Sequence, residues 1–429
     1  MKRAWFFLTV GVICLGLALI TGRELFFNMV YLIALILALS FTWTWASVSS
    51  VRIARRTRSR RSSVGKLAEE SFTVANTGFL PKVWLEIRDH STLPVHRVSQ
   101  VINAMAPRRR RNWAVRTICR RRGRFTLGPL SVVSGDPLGL FELKRDLQVT
   151  SDIVVYPAMI PIPSFAPPLG QLPGGDAVRQ RTHYITTNVS GVRDYAPGDS
   201  FNRIHWRSTA RTGRLIVKEF ELDPTADIWL FPDMQRQVHH SLPFEEPESQ
   251  DPWVAILRGR RRPEIELDPA TDEYTVTVTA SVAQHFIHKD RTIGMITYGQ
   301  TREVIQPDRG HRQLTKILET LAVIRAAGNV PLAQIMLSEG ARLGRGVTLV
   351  VITPSMDQHW VAASRDLIRR GVRIIAVLID PEGFGGPAGI SQVLGELHGS
   401  RVPTYVVHNG DNLSQALSRQ QVLTRRPFR

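Results

Sequence analysis

The sequence predicts a multidomain protein: an N-terminal transmembrane α-hairpin, an antiparallel β-sandwich and a C-terminal doubly wound α/β domain. Two apolar runs open the 429-residue chain, short alternating runs follow, and strand and helix patterns then alternate. We predict the following boundaries: hairpin 1–48, basic juxtamembrane segment 49–68, β-sandwich 69–156, Pro/Gly-rich linker 157–190, an arginine-rich segment 191–221, and the α/β domain 222–429 with an inserted loop 239–270.

Charge and cysteine content narrow the functional classes. The 55 Lys and Arg residues against 37 Asp and Glu give a formal net charge of +18. This balance favours acidic partners, which include anionic lipid, nucleic acid and acidic protein surfaces. Cys14 and Cys119 are the only cysteines, so neither a disulfide framework nor a paired-cysteine zinc site is expected.

The N-terminal runs predict two membrane spans, Trp5–Ile20 and Phe26–Trp45. Each approaches the roughly 20 apolar residues that a spanning helix needs. Lys2 and Arg3 precede the first run and six arginines between positions 52 and 61 follow the second. The positive-inside rule therefore places both ends in the cytoplasm. We expect a two-helix protein of the plasma (inner) membrane, in contact with its lipids and with the bulk of the chain cytoplasmic. A signal peptide over residues 1–22 is the less favoured alternative, because a second apolar span follows at once.

The β-rich region contains a concentration of arginines. Its predicted strands are 71–76, 83–87, 97–102, 113–118, 125–133 and 153–156. Nine arginines lie between positions 108 and 124 without an acidic residue among them. They could form a solvated rim with ion pairs, or bind anionic lipid headgroups. Nucleic acid is not expected as a partner, because aromatic residues are not interleaved with the arginines.

Segment 191–221 combines a turn, a helix and a strand. Residues 196–199 predict a turn, and Asp199 stands where a helix N-cap would. The helix from Ser200 is expected to end near Thr212-Gly213, before a strand at 215–217. Spacing predicts that Phe201, Ile204 and Ser208 face the core. Trp206 is expected either to wedge the helix against the α/β domain or to anchor a partner protein. In the first case, Asp194 and Glu219 are candidate partners of the arginines.

This segment resembles the signature of the domain of unknown function 58 family. The candidate interaction residues that match or lie within this signature are Arg193, Asp194, Tyr195, Pro197, Gly198, Asp199, Arg203, His205, Trp206, Arg207, Arg211, Gly213, Arg214, Lys218 and Glu219. Runs at 122–125, 128–129 and 136–141 look like the same family. The resemblance implies a MoxR-type AAA+ ATPase as partner and a von Willebrand factor A-type C-terminal domain.

That domain type often holds a metal, but the corresponding positions here predict a degenerate site. Asp233 is followed by Gln235 and Gln237 where hydroxyl residues are usual, and the later strand ends at Thr353 rather than at an aspartate. Magnesium prefers near-octahedral oxygen ligands, which one carboxylate and two amides supply poorly. We therefore expect no metal and no cofactor, and Asp233 is interpreted as a strand-end capping residue.

A catalytic interpretation is possible but disfavoured. Asp199, His205 and Ser208 could form a triad, yet a serine within a helix has neither a strained nucleophile turn nor an oxyanion hole. No Gly-x-x-x-x-Gly-Lys-Ser/Thr loop occurs for nucleotide binding. We expect a non-enzymatic, membrane-anchored interaction or scaffold protein that works with the ATPase in complex assembly or maturation. The alternatives are a hydrolase using the signature segment and a metal-dependent adhesion module.

Overall fold

The structure is a computed structural model that describes residues 2–96, 98–165, 189–196, 201, 204–220, 227–244 and 267–420. The chain divides into two compact units. The first comprises residues 1–160, 241–281 and 315–325, and the second comprises residues 161–240, 282–314 and 326–429. The predicted linker and inserted loop lie largely outside the described residues.

Two apolar helices open the first unit, α1 (Lys2–Thr21) and α2 (Glu24–Ser49). Both are long and apolar enough to cross a membrane. Most of their large apolar side chains are exposed, among them Leu19, Ile20, Leu25 and Leu32. The helices therefore differ from the core helices of soluble proteins, which bury such residues.

The rest of this unit is rich in β-structure. Its strands are β1 (Val51–Thr57), β2 (Arg61–Ser63), β3 (Leu67–Asn76), β4 (Lys82–Asp89), β5 (Gln100–Met105), β6 (Arg110–Ile118), β7 (Gly123–Leu127), β8 (Leu130–Gly135), β9 (Glu142–Leu147) and β10 (Ser151–Tyr156). They form the antiparallel sheets β1-β3-β6 and β5-β4-β8-β9 and a mixed sheet β2-β10-β7. Phe72 and Val74 of the first sheet share one hydrophobic core with Leu85, Ile87 and Leu130 of the second.

Three features of this region differ from the predicted strands. Residues 51–57 of the predicted juxtamembrane segment form β1, because Val51 and Ile53 point into the core while Arg52 and Arg56 lie on the exposed face. The run 125–133 is two strands, β7 and β8, since the Gly128-Pro129 turn interrupts it. Strand β9 was not predicted, because its sequence ELKRDL is mostly polar.

The second unit contains two sheets. β11 (Val189–Asp194) and β12 (Ile216–Phe220) form an antiparallel pair, and α3 (Trp206–Thr212) lies between them in the chain. The larger sheet comprises β13 (Ile228–Pro232), β14 (Ile293–Tyr298), β15 (Arg302–Asp308), β16 (Thr348–Thr353), β17 (Arg373–Ile379) and β18 (Thr404–Val407). The accompanying helices are α4 (Thr271–His288), α5 (Gly310–Val323), α6 (Leu332–Gly340), α7 (His359–Arg369), α8 (Ile390–Gly399) and α9 (Leu413–Ala416). Helices α4 and α5 contribute residues to both units.

The strands of the larger sheet are added first on one side of β13 and then on the other. The order is β15-β14-β13-β16-β17-β18, and only β15 is antiparallel to its neighbour. On one face, Phe231 and Leu349 pack with Leu332 of α6 and Trp360 of α7. Intervening residues such as Val350 are also fully buried, as expected for a sheet covered on both faces. The order reverses between β13 and β16, where ligands commonly bind in such sheets.

Candidate functional site

The signature segment folds around the pair β11 and β12. Ile204 forms an isolated bridge with Val217, and His205 N–H donates to the carbonyl oxygen of Ile216 at 2.8 Å. Ile204 and Val217 are 3% and 2% exposed. These two side chains thus form the small core of the segment.

Helix α3 ends where the sequence predicts but begins later. Gly213 has φ of 69°, and its N–H donates to the carbonyl oxygen of Thr209 at 2.9 Å, which confirms the predicted C-terminus. The predicted start after Asp199 is wrong, because the N-cap is His205 and the first helical residue is Trp206. The extended conformation that lets Ile204 pair with Val217 replaces the expected first helical turn.

The predicted core position of Phe201 is wrong, and the exposure of Trp206 contradicts the first of its two alternatives. Phe201 is 69% exposed and Trp206 is 66% exposed, whereas Ile204 alone of the predicted core residues is fully buried. Trp206 therefore does not wedge the helix against a core.

Other apolar and basic side chains are exposed along the same segment. We define the docking segment as the exposed residues Val192, Arg193, Phe201, Trp206, Arg207, Arg211, Arg214 and Leu215. Tyr195 is half-buried, and its ring centroid lies 6.0 Å from that of Phe201. Asp194 is exposed. The predicted residues Pro197, Gly198, Asp199 and Arg203, together with the side chains of Lys218 and Glu219, lie outside what the structure describes.

His205 and Ser208 of the disfavoured triad are in contact. His205 Nδ1 lies 2.7 Å from Ser208 Oγ. Ser208 occupies the first turn of α3, and its own N–H donates to the His205 carbonyl oxygen at 3.0 Å. The contact therefore joins an N-cap residue to the turn that follows, which is a structural role that needs no substrate.

Asp233 lies at the carboxyl end of β13 and is fully buried. Its Oδ2 accepts a hydrogen bond from Thr353 Oγ1 at 2.7 Å, and its Oδ1 accepts one from Gln235 N–H at 3.0 Å. Burial raises the pKa of the Asp233 carboxyl, and these two hydrogen bonds oppose that shift. The carboxylate thus joins the ends of β13 and β16 at the point where the strand order reverses.

A cavity of about 390 Å³ opens beside this strand-end contact. Its lining comes from three parts of the chain, which follow β13, begin α6 and follow β16. The residues are Gln235, Gln237, Val238, Pro331, Leu332, Ala333, Ser355, Asp357 and Trp360. Burial acts to raise the pKa of Asp357, but hydrogen bonds from the backbone and side chain of His359 outweigh it and lower that pKa. Gln235 Nε2 donates to Gln237 Oε1 at 3.2 Å. The two amides of the predicted degenerate metal motif therefore bond to each other at the cavity wall.

Arginines between positions 108 and 124 differ in their exposure and in their ion pairs. Arg116 pairs with Glu69 at 3.0 Å, and the nearly buried Arg122 pairs with Glu273 at 2.5 Å. By contrast, the four residues Arg108–Arg111 are exposed. The ion-pair interpretation is therefore confirmed for Arg116 and Arg122.

Sequence reasoning missed Lys82, a fully buried residue. Its Nζ donates to the Ala46 carbonyl oxygen of α2 at 2.9 Å and to Ser50 Oγ at 2.7 Å. Desolvation lowers the pKa of Lys82. The only sequence signal was a lysine directly before the predicted strand 83–87, and the Ala46 carbonyl that it contacts lies 36 residues away.

Comparisons with known proteins agree with the resemblance of the signature. Residues 191–243 match the family described as Protein of unknown function DUF58. The match supports that family. Uncharacterized protein YeaD of Bacillus subtilis (strain 168) is 22% identical over 241 residues, which cover 56% of this chain and 52% of the relative. The match to this relative spans about half the length of each protein.

Solved structures give weaker similarities. The CARDB domain of a Pyrococcus furiosus protein is 15% identical, covers 24% of this chain and 91% of that domain, and has a TM-score of 0.19. Proximal thread matrix protein 1 from the mussel byssus is 11% identical, covers 45% of this chain and 46% of its own, and has a TM-score of 0.29. TM-scores this low support no argument about function.

Proposed function

We propose that the protein is a membrane-anchored, non-enzymatic interaction protein whose docking segment binds another protein. The exposure of Trp206 carries this proposal. Tryptophan and arginine are the residue types that most often dominate the binding energy of protein interfaces. Trp206 and the arginines at positions 207, 211 and 214 supply both types on one short helix and its C-terminal turn.

The partner that we propose is a MoxR-type AAA+ ATPase, and the process is assembly or maturation of a protein complex. The partner class rests on the resemblance of the signature. The charge of the docking segment adds a physical requirement, because exposed guanidinium groups favour an acidic surface on the partner. Any nucleotide hydrolysis would belong to the ATPase.

Membrane anchoring rests on the character of α1 and α2. Their exposed apolar side chains match a lipid environment, and basic residues lie at both outer ends of the pair. We infer a cytoplasmic location for the remaining chain. Protease added to spheroplasts is expected to leave the C-terminal domain intact, and digestion of that domain would contradict the orientation.

The C-terminal domain is best interpreted as a degenerate von Willebrand factor A-type domain. The strand order with one antiparallel edge strand, β15, supports this interpretation. The bonded amides of Gln235 and Gln237 support the absence of a metal function.

Site-specific photocrosslinking tests the docking segment. A photoreactive amino acid replaces Trp206 in one variant, and in a matched control it replaces Leu337, which is 50% exposed on α6. We expect the first variant, but not the second, to form a covalent adduct with the MoxR-type ATPase in membranes. Equal adducts from both positions, or an adduct from position 337 alone, would contradict the assignment.

A further inference from the structure

The cytoplasm-proximal end of α2 is fixed to the β-rich region by several hydrogen bonds. Besides the bonds from Lys82, Arg145 Nη1 donates to the Ser49 carbonyl oxygen at 2.9 Å, and Thr77 N–H donates to that of Ser50 at 2.9 Å. Carbonyl groups at a helix end have no intrahelical partner, and cationic donors suit their partial negative charge. The start of β4, strand β9 and the loop between β3 and β4 supply these donors and therefore lie next to the end of α2.

One apolar tip projects from the loop between β3 and β4. Phe79 is 79% exposed, and the Arg108 guanidinium lies 4.8 Å from its ring centroid. Asn76 Nδ2 joins this loop to the loop between β5 and β6, because it donates to the carbonyl oxygens of Leu80 at 2.9 Å and Ala106 at 3.1 Å. The exposed residues Arg108–Arg111 follow directly.

A second apolar tip lies beside the last turns of α2. Leu138 is 58% exposed in the turn after β8, and Asp136 holds this turn by accepting hydrogen bonds from Leu138 N–H at 2.9 Å and Phe141 N–H at 2.7 Å. The Phe141 ring lies 5.7 Å from that of Phe41 in α2. Phe41 precedes the last helical residue, Ser49, by about 12 Å along the axis. The turn that carries Leu138 therefore lies alongside α2, about two helical turns before its end.

We propose that these loops bind the surface of an anionic bilayer. We define the rim as Phe79, Leu138 and Arg108–Arg111. Phe79 and Leu138 enter the interface beside α2, and the guanidinium groups contact lipid phosphates. Residues 90–135, which include the four arginines of the rim, contain no Asp or Glu, so the charge of this part of the rim complements anionic lipid. The surface is continuous with α2, and the inference rests on the proposed anchoring by α1 and α2 but not on the docking segment.

Labelling of the full-length chain tests the depth of the rim. In a background with Cys14→Ser and Cys119→Ser, a polarity-sensitive fluorophore is attached to Phe79→Cys or Leu138→Cys. The matched control is Leu67→Cys, since Leu67 is 46% exposed at the opposite end of β3, about 30 Å from Asn76. The proteins are reconstituted in vesicles that contain phosphatidylglycerol and a lipid-attached quencher.

We expect blue-shifted, strongly quenched emission at positions 79 and 138 and water-like emission at position 67. Water-like emission at all three positions in protein that floats with the vesicles would overturn the rim and leave the anchoring intact. A blue shift without quenching would also overturn it, because the rim would then contact protein rather than lipid. Failure of the chain to float with vesicles would overturn the anchoring and, with it, the rim.

The charge requirement is tested by substituting the arginines of the rim. Arg109→Gln, Arg110→Gln and Arg111→Gln together are expected to reduce quenching at position 79 at least twofold in phosphatidylglycerol vesicles, but not in vesicles of phosphatidylcholine alone. Arg58→Gln, Arg60→Gln and Arg61→Gln form the control, because these three exposed arginines follow the distal end of β1. An equal effect of both triple substitutions, or no effect of the first, would contradict binding of anionic headgroups by the rim.

Discussion

Arg55 and Glu70 form an ion pair inside the β-rich region, with Arg55 Nη2 2.7 Å from Glu70 Oε2 and both side chains only 1% exposed. Asp89 lies 3.3 Å from the same guanidinium, and His96 Nε2 lies 3.0 Å from Glu70. A buried charge is tolerated only when it is paired and hydrogen-bonded. The four side chains therefore depend on one another, and removal of one reduces the compensation of the buried charges that remain.

The stability of the first unit is expected to fall in acid. Burial alone would raise the pKa of Glu70, but hydrogen bonds from His96 and Arg55 outweigh it and hold the pKa at about 2, below its ordinary value of 4.5. Because the folded-state pKa is depressed, this stabilisation is complete above pH 4.5 and is lost as the pH falls towards 2. The difference between these two pKa values corresponds to about 3 kcal/mol in the free energy of unfolding. Urea unfolding at a series of pH values measures it, and a flat free energy of unfolding across this window would contradict the prediction.

Neutralisation of Glu70 tests the same cluster by substitution. Glu70→Gln is expected to cost about 3–5 kcal/mol at neutral pH, because it leaves the Arg55 charge with reduced compensation in the interior. Glu69→Gln is the control, since Glu69 adjoins it on β3 but forms a surface pair with Arg58. That change is expected to leave stability nearly unchanged, because solvent screens surface ion pairs. Similar losses of stability in both variants would contradict the prediction, because burial of the Arg55–Glu70 pair would then not explain the effect.

Lys82 is expected to stabilise the C-terminal end of α2. Lys82→Met keeps the length of the side chain but removes the donors to Ala46 and Ser50, which should cost about 1.5–3 kcal/mol. Thermal unfolding of the protein in detergent measures this loss. Lys144→Met is the control, because Lys144 is half-exposed on β9 and pairs only with Asp146 at the surface among the contacts described. An unchanged melting temperature for Lys82→Met would contradict the capping role.

The strand-end carboxylate is expected not to hold a metal. Asp233 already accepts hydrogen bonds at both oxygens, and Gln235 and Gln237 replace the usual hydroxyl ligands. Calorimetry with magnesium or manganese should show no saturable binding to the full-length chain. A stoichiometric, micromolar site that Asp233→Ala abolishes would contradict this prediction.

Elements with strong periodicity could be predicted from the sequence. The continuous apolar runs at 347–352 and 372–379 predict buried strands and correspond to β16 and β17. The spacing at 271–288 predicts a helix and corresponds to α4. Each pattern is long and locally consistent, so neighbouring residues alone determine the element. The end of α3 at Gly213 could be predicted for the same reason.

The remaining features depend on contacts between distant residues. Arg55 reaches Glu70 and Asp89 across 15 and 34 positions, and this pairing follows from strand register rather than local sequence. The start of α3 was misplaced because Ile204 pairs with Val217 instead of opening a helix. In the candidate site, the hydrogen bond of Thr353 to Asp233 likewise forms only when β13 and β16 lie side by side, since the two residues are 120 positions apart.

The central claim is that Trp206 contacts a partner rather than a core. The most direct measurement is the affinity of purified Trp206→Ala for the MoxR-type ATPase, with its melting temperature recorded on the same sample and Leu337→Ala as the control. We predict at least tenfold weaker binding, as for loss of an interface hot spot, with stability changed by no more than about 0.5 kcal/mol. Unchanged affinity together with a substantially lower melting temperature would contradict the account, because Trp206 would then stabilise the fold instead of binding a partner.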